Sequence, residues 1–479
     1  MDFPDYDFER QDDNADYKEL DQKIESLRKA VIDGQLFLYS EQIEEIIEYC
    51  IDYDYIEDGL FFTDAMLEVF PYNSELWQFK GIFLNNTFRF EEAYSCFNTS
   101  LSLNPNDVET LINKAMAEDN MNQNNDAILT LNSALDLEPE NEEIYFTLGT
   151  LYEKLNDFVQ AEQYFLQAIS IDPEYSEVYF ELGYCYESLE QFDKAIGAYD
   201  KYLEFEPYSI GGWYNRGIIY TRMNKFENAV DSFDLALAIR DDFSNAWFNK
   251  GIALANLGKL HQAIEAFNEA AKFDKDDDAI YLNLGQIHEE LGQLETAADN
   301  YSRALELNPY SFEACMSRGY CYETLKQYSM AMKDFESALL IDEKSAEAMF
   351  ARGDVNWMLN NRNAAIEDYK SALAIEPQNY EIWFKLAEVY LETGRVNEGM
   401  EAFNQCLKLN PSDAHSYYGK AKLNFIMSKT QEAIDCLKRA ISLDPEIRNE
   451  IATEYPEMRT SKIFNKLLDN KSLDDSVNI

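Results

Sequence analysis

The side chains most often used in catalysis are scarce in this sequence and are not arranged as a catalytic set. Its three histidines, His261, His288 and His415, do not stand at a recognisable spacing from a serine or cysteine that they could activate. There is no Gly-x-x-x-x-Gly-Lys phosphate loop and no His-Glu-x-x-His zinc helix. Paired carboxylates are frequent, but with 90 acidic residues such pairs arise by chance. We therefore expect no catalytic residues and a chain that is not an enzyme.

The seven cysteines do not form a metal-binding pattern. Cys315 and Cys321 are six residues apart, without a second pair or a nearby histidine, so we expect no zinc, no other metal and no cofactor. Small buried thiols are the expected role for the cysteines. The acidic N-terminus lacks the positive charge of a secretory signal, and no run approaches about eighteen apolar residues. These features predict a cytoplasmic protein without membrane insertion.

The polar and aromatic candidates that remain recur at a spacing of 34 residues. Asn215, Asn249 and Asn283 form one series. A second series, one place earlier, runs through Phe146, Phe180, Tyr214, Phe248, Leu282, Met316, Phe350, Phe384 and Tyr418. An asparagine amide offers both a donor and an acceptor to a peptide backbone, and rigid rings suit peptide capture. Both series are therefore candidates for contact with an extended polypeptide.

The same spacing governs the prolines. Nine of the eleven lie on one 34-residue lattice: Pro71, Pro105, Pro139, Pro173, Pro207, Pro309, Pro377, Pro411 and Pro445. Proline cannot lie inside a helix and biases the residue before it away from the helical conformation, so each of these marks a helix end. A sequence-wide period of this length predicts stacked units instead of a single globular core.

Other places of the 34-residue unit are equally constrained. From 74 to 447 there are eleven units without insertion or deletion. The eighth place is always Gly or Ala, the twentieth is Ala except at Gly399, and the twenty-fourth is Phe, Tyr or Leu. A small residue opposite a large one predicts two closely packed helices in each unit.

Local signals mark the ends of these helices. Asn156-Asp157 and Leu257-Gly258 predict the turn between the two helices of a unit. Residues able to accept the free amide hydrogens at the start of the first helix are Ser74, Asn141, Ser176, Ser244 and Asp278.

These places resemble the signature of the tetratricopeptide repeat, a 34-residue helix-turn-helix unit. Unit 142–175 carries the whole signature, namely Tyr145, Leu148, Gly149, Tyr152, Ala161, Phe165, Ala168 and Pro173. Three units depart from it at the proline, with Asp241, Lys275 and Glu343, which a helix end accepts. The resemblance covers 74–447 and is of the bacterial consensus type. It implies an all-α solenoid, a right-handed superhelix of antiparallel helix hairpins.

The pattern weakens on either side of the eleven units. Residues 40–73 are predicted to be a degenerate unit, with Gly59 where the others have Ala. Residues 1–39 are predicted to be an acidic extension, disordered over 1–14, with one weak helix from about residue 16 to 32. Residues 448–479 are predicted to hold capping helices, extending to the apolar run at 464–468, and an acidic tail over 469–479.

The resemblance also implies that first helices line a concave groove, which the second, fifth, sixth, ninth and twelfth places face. On that basis the predicted partner-binding residues are Asn215, Asn249, Asn283, Phe146, Phe180, Tyr214, Phe248, Phe350 and Phe384. Packing between helices is the alternative role for the rings, and generic repeat consensus is the alternative origin of the asparagines. An asparagine ladder of this kind is used by the repeat arm of the O-linked N-acetylglucosamine transferases, but no glycosyltransferase domain follows here. The chaperone-tail clamp of the family is not expected, because glutamates replace its second-place lysines.

The formal net charge of −50 limits the classes of partner. With 90 acidic and 40 basic residues, we expect binding neither to nucleic acid nor to anionic membrane surfaces. Second and twelfth places are acidic at Glu109, Glu143, Glu153, Glu177, Glu187, Glu289, Glu313, Glu323, Glu347 and Glu381. Between 210 and 277 this acidic lining is interrupted, and basic residues occur nearby, namely Arg216, Arg222, Lys225 and Lys250. If the solenoid has a preferred binding region for a partner, we expect it there. The charge either attracts basic segments or only maintains solubility.

Together these features predict a non-catalytic protein-protein interaction scaffold. Its predicted ligand is a protein or peptide segment, favoured when basic, held in an acidic groove lined by aromatic residues. One alternative is an accessory or assembly subunit of an enzyme or chaperone system that docks through its convex face or tails. A self-assembling solenoid is another.

Overall fold

The computed structural model describes residues 16–455, with side chains described from residue 20 onward. Within this range it contains 26 α-helices, one 3-10 turn at Leu36–Leu38 and no strand. The helices are α1 Asp16–Ile32, α2 Ser40–Asp52, α3 Ile56–Val69, α4 Ser74–Asn86, α5 Phe90–Leu103, α6 Val108–Asn120, α7 Asn124–Leu137, α8 Glu142–Lys154, α9 Phe158–Ile171, α10 Ser176–Ser188, α11 Phe192–Phe205, α12 Ile210–Arg222, α13 Phe226–Ile239, α14 Ser244–Asn256, α15 Leu260–Phe273, α16 Asp278–Glu290, α17 Leu294–Leu307, α18 Phe312–Thr324, α19 Tyr328–Ile341, α20 Ala346–Met358, α21 Arg362–Ile375, α22 Tyr380–Glu392, α23 Val396–Leu409, α24 Ala414–Ile426, α25 Thr430–Leu443 and α26 Ile447–Glu454. The disorder predicted over 1–14, the capping helix predicted over 464–468 and the tail over 469–479 lie outside the described residues.

The chain divides into two compact units, Met1–Arg240 and Asp241–Ile479. Helices α1–α13 belong to the first unit and α14–α26 to the second. The division falls at Asp241, the first lattice place that lacks proline. In each unit the helices form consecutive hairpins, so the predicted all-α tetratricopeptide solenoid is confirmed.

Each hairpin repeats the same design. A first helix of 13 residues, such as α8, is followed by a second helix of 14 residues, such as α9. In the turn between them the fifteenth residue of the unit has a positive φ, at 61° in Asn156 and 70° in Gly258. Glycine and asparagine tolerate this left-handed conformation best, which is why they recur there. The turns predicted at Asn156-Asp157 and Leu257-Gly258 are confirmed.

A glycine on the first helix and a ring on the second close each hairpin. A Cβ atom added to Gly183 would lie 2.6 Å from Cε1 of Tyr199, so the ring occupies the space that a side chain would need. The same contact joins Gly81 to Phe97, Gly149 to Phe165, Gly217 to Phe233, Gly251 to Phe267, Gly285 to Tyr301, Gly319 to Phe335 and Gly353 to Tyr369. The predicted pairing of the eighth and twenty-fourth places is therefore confirmed.

The units with alanine at the eighth place compensate for the extra methyl group. Ala115 and Ala421 belong to units whose twenty-fourth residue is a leucine, which is smaller than an aromatic ring. Ala387 shares its unit with Phe403, whose ring lies against Gly419 of the next unit, 2.2 Å from where a Cβ atom would be. A larger residue at one place is thus balanced by a smaller one nearby.

The residue at the proline place of each unit accepts a hydrogen bond through its backbone carbonyl in several units. The indole Nε1 of Trp213 donates to the carbonyl oxygen of Pro207 at 2.9 Å, and Trp247 donates to that of Asp241 at 2.8 Å. Equivalent bonds join Trp77 to Pro71, Tyr145 to Pro139, Tyr179 to Pro173 and Trp383 to Pro377. Because a carbonyl accepts this bond whatever the side chain, aspartate replaces proline at 241 without loss of the contact.

Most of the predicted helix caps are wrong by one residue. Asn141 caps its helix as predicted, but the capping side chain of α4 is Asn73, not Ser74, and that of α16 is Asp277, not Asp278. Ser176 and Ser244 also lie inside their helices, which begin after Tyr175 and Phe243 without a side-chain cap. The N-cap residue must have extended backbone dihedrals, and it is the residue just before the unit that has them in the capped helices.

Candidate functional site

Within each of the two compact units, consecutive first helices share a face, here called the first-helix face, made by the second, sixth, ninth and twelfth places of the repeats. Gln286 of one unit donates to Glu313 of the next at 2.7 Å, and Tyr320 donates to Glu347 at 3.1 Å, so the ninth place meets the second. The ammonium of Lys385 lies 4.8 Å from the ring centre of Trp357, so the sixth place meets the twelfth. A subsite on this face is therefore built by two neighbouring units.

The fifth-place rings border this face but are half-buried in packing. Each contacts the twenty-fourth-place ring of its own unit, with centroids 5.5–6.1 Å apart. The contacts are Phe146–Phe165, Phe180–Tyr199, Tyr214–Phe233, Phe248–Phe267, Phe350–Tyr369 and Phe384–Phe403. These rings therefore support the hairpins, and a partner would contact only their exposed part.

The three predicted ladder asparagines are all half-buried sixth-place residues. Asn249 and Asn283 each donate from Nδ2 to a carbonyl oxygen of their own helix, those of Asn245 and Ala279, at 2.8 Å. Asn215 instead lies beside the hydroxyl of Tyr199. Two of the three asparagines are thus bonded to their own helix and one lies beside a tyrosine, a difference that their shared residue type did not indicate.

The basic residues near the interrupted acidic lining are engaged by neighbours. In the first compact unit, Met1–Arg240, Arg216 binds Asp200 at 2.6 Å and Arg222 binds Glu187 at 2.9 Å, while Lys225 lies 3.8 Å from Asp193. In the second unit, Lys250 lies 4.6 Å from the ring centre of Trp247. The three basic residues of the first compact unit therefore neutralise acidic groups on adjacent helices.

Several carboxyl groups of the first-helix face have raised pKa values. Burial is the main cause in each case, and a neighbouring carboxylate adds to it: Glu109 raises the pKa of Glu143, and Asp354 raises that of Glu323. Burial also raises the pKa of Asp354 and of Glu388. Within residues 20–455 none of these four forms an ion pair with a Lys or Arg, whereas Glu204, Glu306 and Glu367 on second helices do. The charge of Lys385, on the same face, lowers the pKa of Glu323, Asp354 and Glu388, but by less than burial raises it.

The strongest case is a pair of glutamates from neighbouring units. Burial and the adjacent Glu181 raise the pKa of Glu153 to about 8, and burial raises the pKa of Glu181. The two carboxyl groups are neighbours, and the buried Cys185 thiol lies 3.9 Å from Glu153 Oε2. Near neutral pH Glu153 therefore retains its proton.

Tyrosine hydroxyls approach the first-helix face from beneath. Tyr199, Tyr301 and Tyr369 occupy the twenty-fourth place and are fully buried, yet Tyr301 donates to Glu289 at 2.8 Å and Tyr369 donates to Asp354 at 2.5 Å. Glu289 and Tyr301 line a pocket with Ser317 of the following unit. The sequence pattern did not predict these contacts, because Phe and Tyr are equivalent in the repeat signature at this place; the tyrosine hydroxyl is the signal that distinguishes them.

The remaining candidates have ordinary surroundings. Six of the seven cysteines are buried and all seven are free thiols. Nδ1 of His288 lies 2.8 Å from Gln293 Oε1, and His261 is exposed. Between residues 20 and 455 no group of three or more His, Cys, Asp or Glu is placed to hold a metal ion. The helices described for this chain include none with the length and apolar content required to cross a bilayer.

Several solved structures are similar to parts of this chain. YrrB, described as a tetratricopeptide repeat protein with an unusual peptide-binding site, is 23% identical over 40% of this chain and 99% of its own, with a TM-score of 0.37. The anaphase-promoting complex hetero-tetramer Cut9-Hcn1 is 13% identical over 91% of this chain and 97% of its own, with a TM-score of 0.37. PilF of Pseudomonas aeruginosa is 17% identical over 44% of this chain and 97% of its own, with a TM-score of 0.39. No curated protein gives a significant match.

Family models identify the repeats directly. Models described as "Tetratricopeptide repeat" match 74–107, 112–176, 146–210, 210–243, 279–311, 312–345, 357–423 and 414–447, and one described as "TPR repeat" matches 253–292. These matches cover well over half of the 479 residues. They follow the helix hairpins described above, and the chain belongs to the tetratricopeptide repeat family.

Proposed function

We propose that this chain is a non-catalytic scaffold that binds basic polypeptide segments along the first-helix face. Membership of the tetratricopeptide repeat family supports a protein-interaction scaffold. The observation that carries the basic preference is the set of carboxyl groups at Glu143, Glu153, Glu181, Glu323 and Glu388, whose pKa values are raised by burial. None of these five groups forms an ion pair with a Lys or Arg of residues 20–455, although the charge of Lys385 acts on Glu323 and Glu388. A Lys or Arg brought to them therefore gains a charge-assisted contact.

Two kinds of contact have separate roles in this proposal. The carboxyl groups select charge, whereas Asn215, Asn249 and Asn283 contact the peptide backbone and are indifferent to sequence. The exposed parts of Phe146, Phe180, Tyr214, Phe248, Phe350 and Phe384 provide apolar area beside them. Binding therefore combines a sequence-independent part with a preference for positive charge.

An array of random 12-residue peptides probed with the full chain tests this proposal. We expect the bound peptides to be enriched in Lys and Arg. The variant Glu323→Gln/Glu388→Gln should lower the signal of basic peptides about tenfold, since each lost charged contact weakens binding severalfold. The matched control Glu295→Gln/Glu336→Gln makes the same charge change at exposed residues of the second helices α17 and α19 and should have little effect.

The asparagines give the complementary result on the same array. Asn215→Ala/Asn249→Ala/Asn283→Ala should lower the signal of all bound peptides alike, because backbone contact does not depend on side-chain charge. Equal binding of neutral and basic peptides by the unmodified chain would show that the proposed preference is wrong. An unchanged signal in the triple asparagine variant would show that these asparagines do not contact the bound peptide.

A further inference from the structure

A cleft lies at the last junction of the first-helix face in the second compact unit. Its volume is about 640 Å³, and residues of α22, α24, α25 and α26 line it. The ninth and twelfth places of the last two complete repeats, which belong to the first-helix face, contribute Glu388, Leu391, Lys422 and Phe425. Clefts of about 300–1,000 Å³ hold drug-sized ligands, so several side chains of a polypeptide fit here. We call it the terminal cleft.

The terminal cleft lies where α26 is too short to cover α24. The first helices of the eleven repeats have 13 residues, whereas α26, which stands where the next first helix would, has 8. At 1.5 Å per residue, the five missing residues leave roughly 7 Å of α24 without contact from α26. Pro456 follows Tyr455 and ends α26, because proline biases the residue before it away from the helical conformation. Tyr455 accordingly has a φ of −131° and a ψ of 72°.

Most of the residues that line the terminal cleft have apolar side chains. They include Leu391, Ala421, Phe425, Ile426, Leu437 and Ile451. Ile426 is 57% exposed, so part of this apolar surface is in contact with solvent. Its burial would stabilise a complex by roughly 25 cal/mol for each Å² removed from water. The lining therefore favours an occupant with apolar side chains.

The charged residues of the terminal cleft are mostly acidic. Glu388, Glu392 and Glu454 line it together with a single lysine, Lys422. Lys422 binds Glu454 at 2.7 Å, and Arg362 binds Glu392 at 2.9 Å. Glu388 forms no ion pair with a Lys or Arg of residues 20–455, although nearby basic side chains act on its charge. An occupant that carries basic side chains beside apolar ones therefore suits this cleft.

The chain contains a segment of this chemistry directly after the cleft. Residues 458–468 include Arg459, Lys462 and Lys466 and no acidic residue, in a chain whose formal net charge is −50. Their apolar residues are Met458, Ile463, Phe464, Leu467 and Leu468. The last four have the spacing i, i+1, i+4 and i+5, which places them on one face of a helix. A helix of this segment would be roughly 16 Å long.

We propose that residues 458–468 form a helix that docks in the terminal cleft of the same chain, with its apolar face on the apolar lining and its basic side chains near the carboxylates. Tyr455 lines the cleft, and Met458 follows it by only three residues, a span of at most about 11 Å. This short tether gives the segment a high effective concentration that a second copy or a separate peptide lacks.

The docked position differs from that of a cap that only prolongs the stack. A cap in line with α26 would leave the ninth- and twelfth-place residues of α22 accessible, among them Glu388 and Leu391. The docked helix instead covers them and occupies the end of the first-helix face. Contact with α22 is therefore the feature that distinguishes the two arrangements.

Photo-crosslinking of the full chain tests where the segment lies. Benzoylphenylalanine is introduced in place of Phe464, the protein is irradiated without any ligand, and the linked peptides are identified by mass spectrometry. We expect crosslinks within one chain to cleft residues of α22 and α24. Crosslinks only between two copies, only to residues outside the cleft, or none at all would overturn the inference.

Hydrogen exchange tests whether the cleft lining holds the segment. In Ile426→Ser, which removes an exposed apolar side chain of the cleft, the amides of residues 461–468 should exchange about tenfold faster than in the unmodified chain. The matched control Ile375→Ser removes a 43% exposed isoleucine at the end of α21 and should leave these rates unchanged. Equal rates in the two variants would contradict docking in this cleft.

Docking also has a consequence that rests on the proposed function. The helix would cover Glu388, one of the carboxyl groups proposed to bind basic peptides. Phe464→Ser/Leu467→Ser should therefore raise the affinity for a basic peptide from the array severalfold, as measured by fluorescence polarisation. The control Leu129→Ser/Leu340→Ser, at exposed residues of α7 and α19, should not. An unchanged affinity in the first variant would show that the docked segment does not limit binding.

The inference and the proposed function can fail separately. Crosslinking and hydrogen exchange contain no peptide, so a negative result there overturns docking and leaves the proposed function intact. Absence of any basic enrichment on the array would instead overturn the proposed function and leave the docking of residues 458–468 unaffected.

Discussion

Glu153 couples the stability of the fold to pH. Its pKa rises from an ordinary value of 4.5 to about 8 because the group is buried beside Glu181. Between these two pH values the folded chain holds a proton that the unfolded chain has lost. The stability that this proton confers is complete below about pH 4.5 and is lost as the pH rises through about 8.

A single substitution isolates this effect. Glu153→Gln keeps the size of the side chain and removes its titration, so the fall in unfolding free energy between pH 5 and pH 8 should become shallower. Urea denaturation at several pH values measures it, with Glu227→Gln, an exposed residue of α13, as control. Parallel pH profiles for Glu153→Gln and the unmodified chain would contradict the assignment.

At the scale of the helix hairpin, α10 and α11 contain two glycines with opposite roles. Gly183 lies under the Tyr199 ring, where a Cβ atom would be 2.6 Å from the nearest ring atom, whereas Gly197 on α11 has nothing within 4 Å. Gly183→Ala should destabilise the chain by about 1–3 kcal/mol through overpacking. Gly197→Ala should stabilise it by about 0.5–1 kcal/mol, because alanine loses less backbone entropy in a helix.

Urea denaturation of the two variants gives the comparison, since both make the same chemical change within one hairpin. Destabilisation of similar size in both would mean that the ring contact at Gly183 does not limit this place. A Gly183→Ala/Tyr199→Leu double variant should recover part of the loss, since the chain itself combines alanine with leucine in the unit of Ala115.

The hairpins were predictable from sequence because their determinants repeat in every unit. The places of Gly183 and Tyr199 follow from the period, and so does the turn at Asn156. The caps were less predictable, because two neighbouring polar residues such as Asn73 and Ser74 differ only in backbone conformation. A one-residue error is therefore expected from residue type alone.

The candidate site was predictable only in part. Its glutamates and asparagines were visible as series, but the contact of Glu153 with Glu181 depends on which places of consecutive units meet. Glu187, in the unit of Tyr199, is bound by Arg222 from another unit, whereas the equivalent Glu289 accepts a hydrogen bond from Tyr301. Identical tyrosines at 301 and 369 are bonded, so residue type does not distinguish the cases.

At the scale of the whole molecule, a formal charge of −50 opposes folding through self-repulsion. Salt screens this repulsion, with a Debye length of about 10 Å at 0.1 M. The melting temperature should therefore rise between low and moderate ionic strength, while affinity for basic peptides falls. Differential scanning fluorimetry and fluorescence polarisation over one salt series measure both trends. A melting temperature that is flat with salt would contradict the first, and a salt-independent affinity the second.

The twelfth place of one repeat contacts the sixth place of the next, so the pairs of side chains on the first-helix face change when a repeat is lost or duplicated. Glu153 and Glu181 belong to different units, as do Trp357 and Lys385, so each subsite is a property of a junction. Excising residues 176–209 would place Glu153 opposite Asn215 and replace the acid pair with a glutamate-asparagine pair. The order of the repeats therefore determines which side chains meet on the first-helix face. Duplication or loss of one 34-residue repeat changes these pairs without any point mutation.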